Sequence, residues 1–63
     1  MPVSAGYAAA LGYEPGQWVR HPGQPDWGVG QVQSVVGERV TVNFENAGKV
    51  LVNVRVVALE LCD

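Results

Sequence analysis

The stretch Trp27-Gly-Val-Gly-Gln-Val-Gln-Ser-Val-Val36 most limits what this chain can become. Two glycines one residue apart, Gly28 and Gly30, stand where a loop turns into a strand. Glycine at such a point allows a positive φ or lets a neighbouring strand come close. The β-branched run behind them ends at Gly37-Glu38, a turn signal, and a second valine-rich run begins at once. A strand entered through a glycine kink and left through a tight turn is the spine of a small, strongly bent barrel.

Such a barrel has to be held by its core alone. Sixty-three residues make one domain, and a chain of that size buries only about 60% of the surface it exposes when unfolded. The single cysteine, Cys62, excludes a disulfide framework, and with the single histidine, His21, it leaves no zinc-binding set. No cofactor is expected. Thirteen valines supply the core, their stiff branched side chains favouring strand over helix. A lone thiol fits a reducing compartment. No apolar run approaches the roughly 20 residues of a membrane span, and the start lacks the basic and apolar regions of a signal peptide. The expected location is the cytoplasm, with no membrane partner.

Read along the chain, residues 1–13 form an N-terminal arm. Ser4 to Leu11 can make one or two helical turns, with Ser4 as N-cap and Gly12 past the end; the alternative is a loosely ordered arm. A docked turn would present Tyr7 and Leu11, four apart, on one face. Residues 14–63 are then the barrel. Glu14-Pro15-Gly16 is a turn, and Gln17–His21 a first strand with Val19 inward and Trp18 and Arg20 outward. His21–Trp27, with two prolines and a glycine, is a rigid loop. The second strand covers Gly28–Val36. In the third, Arg39–Phe44, Val40, Val42 and Phe44 face the core. The fourth is Lys49–Asn53. A 3₁₀ turn is expected around Val54–Val57, then a short fifth strand, Leu59–Leu61, with both leucines inward. Five short strands in this order specify an all-β, five-stranded SH3/Tudor-like small barrel, closed so that no edge is exposed.

Function is written less openly. Six acidic and four basic residues give a net charge of −2, which disfavours charge-driven nucleic-acid binding. Nucleophilic catalysis lacks its parts, since Cys62 and His21 would have to meet across the fold. No phosphate-cradling motif follows Gly28-x-Gly30, which has neither the third glycine nor the helix. The plasmid-borne type of dihydrofolate reductase is also a short SH3-like chain, but its active-site strand has no match at Val50-Leu-Val-Asn53. No enzyme activity is expected.

The candidate binding residues lie at the first loop: Arg20, His21, Asp26 and Trp27. An arginine pairs with carboxylates and an exposed tryptophan anchors interfaces. Each also has a structural alternative. Asp26 can cap the loop, Trp27 can seal one end of the core, and His21 can hydrogen-bond backbone. Trp18 is the better candidate for an exposed aromatic, within cation–π reach of Arg20. An aromatic cage would have to draw on Tyr13, Trp18, Trp27 and Phe44, of which Phe44 reads as buried. Lys49 is either a solvated lysine or, with Arg20 and Arg55, part of a small cationic spot that would carry weak nucleic-acid binding.

The motifs Gly16-x-x-Val-Arg-His-Pro22, Pro25-Asp-Trp-Gly-x-Gly-Gln-Val32, Val40-Thr-Val-Asn-Phe44 and Ala47-Gly-Lys-Val50 resemble a family of short bacterial proteins catalogued as a domain of unknown function. More distantly, the chain is similar to the SH3/Tudor-like tail of UvrD/PcrA repair helicases and to the polymerase-binding domain of CarD-type transcription factors. It is less basic than the helicase tails and carries Trp27 in its first loop. The resemblance implies docking on another protein, RNA polymerase or a repair factor, without catalysis. The expected protein is a monomeric, non-enzymatic binding module.

Overall fold

A computed structural model of the protein describes residues 6–62. The elements run α1 (Gly6–Ala10), β1 (Trp18–Arg20), a single 3₁₀ turn at Pro25–Trp27, β2 (Val29–Val36), β3 (Arg39–Phe44), β4 (Gly48–Asn53) and β5 (Glu60–Cys62). All strand pairs are antiparallel, in the order β4-β3-β2-β1-β5. The fold is all-β and barrel-like, with little helix. The expected closure is absent among the described residues: β4 and β5 share no ladder and are the two edges of the sheet.

The inner face of the sheet is the core. Val19, Val32, Val40, Val42, Phe44 and Val52 are buried there, joined by Val54, Leu59, Tyr13 and Ala8. The alternation in β1 and β3 follows the residue pattern, with Val19, Val40, Val42 and Phe44 inside. The two glycines of the opening motif serve different ends. Gly28 has φ 78°, whereas Gly30 is needed for space: a Cβ there would stand 2.5 Å from Val42 Cγ1 and 2.7 Å from Phe44 Cδ1.

A bulge divides β2. Its register to β3 shifts between Val32 and Ser34, so Gln33 is the extra residue. Strict alternation from Val32 would turn Val36 inward. The bulge instead turns Val35 to the core and leaves Val36 54% exposed. An extra residue of this kind also sharpens strand twist, which curls the sheet around its core.

Three expectations change. The 3₁₀ turn falls at Pro25–Trp27, where Pro25 at its start and Gly28 at its end favour it, while residues 54–56 form a turn whose Val56 and Val57 amides both donate to the Asn53 carbonyl at 3.0 Å. Of the two leucines expected inward on the fifth strand, only Leu59, just ahead of β5, is buried. Leu61 pairs with Val19 but is 55% exposed, because β5 is an edge and no further strand covers that flank. The arm docks through Ala8 instead of Tyr7 and Leu11, both of which are exposed.

The docking of α1 is local and specific. Ala8 is fully buried and its N–H donates to the Gly37 carbonyl at the β2–β3 turn, 2.7 Å. Past the helix, Gly12 N–H donates to Ala9 O (2.9 Å) and Tyr13 N–H to Ala8 O (3.1 Å). That bond pair closes a helix end in a Schellman arrangement, with Gly12 as the left-handed residue. Buried Tyr13 then donates its hydroxyl to Leu59 O at 2.9 Å, tying the arm to the chain's last segment. The proposed N-cap Ser4 lies outside the described residues.

Candidate functional site

The sheet's free edge at β4 and the first loop meet in one groove. Its lining is His21, Trp27, Val50–Asn53, Val56 and Val57, around a cavity of about 250 Å³. The loop reaches it through a chain of backbone bonds, from Gln24 N–H to His21 O, Trp27 N–H to Gln24 O and Gly28 N–H to Pro25 O. Asn46, in the β3–β4 turn, pins that loop from the other side. Its N–H donates to Trp27 O and its side-chain amide to Asp26 O, both at 3.0 Å.

Trp27 is half-buried and bridges core and groove. Its ring lies 5.2 Å from that of Phe44 and 4.9 Å from His21, the latter edge-on. His21 Nδ1 accepts from the Gly23 N–H at 3.1 Å, a local bond that fixes the ring. Both residues therefore have the structural role foreseen as an alternative, and both still line the groove. Asp26 is exposed on the 3₁₀ turn, and its backbone carbonyl, not its carboxylate, fastens the loop.

Beside the groove, β4 has an open backbone edge. Val54 N–H donates to Glu38 O at 2.9 Å, one step beyond the Arg39–Asn53 pair. Bonded pairs alternate along an antiparallel ladder, so Val52, Val50 and Gly48 turn their backbone groups to β3. Lys49, Leu51 and Asn53 turn theirs outward, and of these the Asn53 carbonyl is taken up by the following turn. Leu51 (61% exposed) and Val56 (81% exposed) flank this edge with aliphatic surface.

The remaining candidates sit on the outer face. Trp18, 47% exposed, is opposite Gln31, which is opposite Asn43, which is opposite Lys49. Three strand spacings, about 14 Å, separate Trp18 from Lys49. Arg20 shares this face next to Trp18, opposite Glu60 of β5. The cation–π contact among the described residues is elsewhere, Arg55 over Tyr7 at 4.5 Å. Arg55 is also paired with Glu38 at 2.8 Å, so Arg20, Lys49 and Arg55 do not converge on one spot. No group of three or more His, Cys, Asp or Glu that could hold a metal is found among the described residues. No helix among them is long and apolar enough to cross a membrane.

The edge residues Leu51, Asn53 and Val56 were not legible as a site from motifs. One signal for Leu51 existed: Val50-Leu-Val52 is apolar throughout where β3 alternates with polar residues, so one aliphatic must face out. Residues 13–62 match the family model described as Protein of unknown function (DUF3553). The chain belongs to this family. Neither the curated proteins nor the solved structures give a match. The family match covers all five strands and the groove, whereas α1 precedes it.

Proposed function

We propose that this DUF3553 chain is a non-enzymatic protein-binding module that takes up an extended segment of its partner along β4. One observation carries this reading: an apolar groove runs beside a strand edge whose Lys49 and Leu51 backbone groups pair with no strand among the described residues. Edge strands of soluble proteins are ordinarily blunted by proline, charge, bulges or covering loops. Here the edge has one lysine, an exposed leucine and a neighbouring exposed valine. Main-chain bonds along such an edge supply affinity, and the pockets beside it supply selectivity. Trp27 and His21 form one wall of that pocket. The motif resemblance nominates transcription or repair machinery as the partner class, with RNA polymerase the first to test.

The experiment is binding of the purified chain to purified RNA polymerase by biolayer interferometry, with two edge variants. Leu51→Pro removes an outward N–H without breaking the β3 ladder, and Val56→Asp charges the groove rim. Circular dichroism checks that both fold. Binding by the native chain and loss in both variants is the expected result. Equal binding by all three would dismiss the β4 edge, and no binding by any would dismiss this partner.

A further inference from the structure

Charge is unevenly distributed around β4. The chain is net negative with only four Lys and Arg, yet three of them lie on β4, on the strand beside it or just past its end. Lys49 lies within β4, Arg39 stands across the ladder from Asn53, and Arg55 follows two residues past the strand end. Glu45 and Glu60 are turned elsewhere. Glu45 Oε1 accepts from Val29 N–H at 3.4 Å, on the β2 side of β3. Glu60 lies opposite Arg20 on β5. Glu38 is engaged by Arg55 (2.8 Å) and by the Asn53 side-chain amide (3.1 Å). Among the described residues no carboxylate lines the groove, and no Lys or Arg does, so the charges that a partner meets stand around it. Since Glu38 offsets Arg55, the charges left to face a partner are Lys49 near one end of β4 and Arg39, one strand in, across from Asn53 at the other. From Lys49 to Asn53 the strand spans about 13 Å, or about four residues of a paired segment.

We propose that the segment taken up at β4 is acidic: an extended partner strand whose aliphatic residues meet Leu51, Val56 and Trp27, and whose carboxylates, about four residues apart, meet Lys49 and Arg39. This rests on β4 being the docking edge. It excludes neutral and basic segments as preferred ligands, and it excludes a second copy of this chain, whose own edge would bring lysine and arginine against the same charges.

Selection of short random peptides on the immobilised full chain tests this, followed by amide chemical-shift mapping with a selected peptide. The expected pool is enriched in Asp and Glu on either side of β-branched residues, and the shifts fall on Lys49, Leu51 and Asn53. Lys49→Gln should weaken binding about two- to fivefold, as loss of a largely exposed ion pair does, and Lys49→Glu should weaken it further. Affinity should also fall as salt is raised. Neutral or basic selected peptides with the same β4 shifts, or binding indifferent to Lys49→Glu, would overturn the acidic segment and leave the docking edge standing. Shifts confined to other strands would overturn both. Shifts of the β4 amides on concentrating the protein without peptide would assign the edge to a second copy and overturn the acidic segment.

Discussion

Gly30 shows how little freedom single positions have in a core this small. It faces Val19 across β1 and Phe44 across β3, and the side chains of Val42 and Phe44 fill the space its missing Cβ leaves. Gly30→Ala therefore overpacks the inner face. The expected loss of stability is about 1–3 kcal/mol, read by urea unfolding followed through tryptophan fluorescence. An unchanged midpoint would mean that Val42 or Phe44 moves aside freely. Tyr13 is the converse case, a residue whose polar tip matters as much as its ring. Its hydroxyl meets Leu59 O inside the core, so the arm and the last strand are held by one buried bond. The motif Gly-x-Gly was readable as a pair of constrained positions. That Gly30 answers to crowding depended on Val42 and Phe44, residues of a different strand.

At the scale of elements, the alternation in β4 makes a direct prediction. Native-state hydrogen exchange should be faster at Lys49 and Leu51 than at Val50 and Val52, because only the latter pair donates into the β3 ladder. Slow exchange at Leu51 in dilute protein would mean that something already pairs with this edge. Most strands were legible because valine periodicity is a local signal: β3 has the expected bounds, and β1, β2 and β4 differ by a residue or so at their ends. The bulge at Gln33 was not legible. Val32-Gln-Ser-Val-Val36 has two adjacent valines at its end, and whether Val35 or Val36 turns inward is set by the register against Val40 and Arg39. α1 was half legible. Five helical residues are too few to stand alone in water, so the element depends on Ala8 finding the Gly37 carbonyl and on the Gly12–Tyr13 closure.

For the molecule as a whole, the core and not its ions should set stability. The ion pair among the described residues, Arg55 with Glu38, leaves both side chains substantially exposed. Arg55→Ala also removes the contact over Tyr7, and the two together are expected to cost about 1 kcal/mol. The urea midpoint of the native chain should move little between low and high salt, since an exposed pair is screened. A strong salt dependence would point to a charge network beyond this pair. The five-strand, all-β character of the protein was determined by its sequence, through valines spaced for strands and glycines spaced for turns, both of which act within a few residues. The tertiary structure alone decided that the sheet stays open, that Trp27 and His21 come to stand beside β4, and that Arg39 stands across from Asn53. Those features depend on the order in which strands pair and on backbone groups left without a partner, quantities that no short stretch of the chain contains.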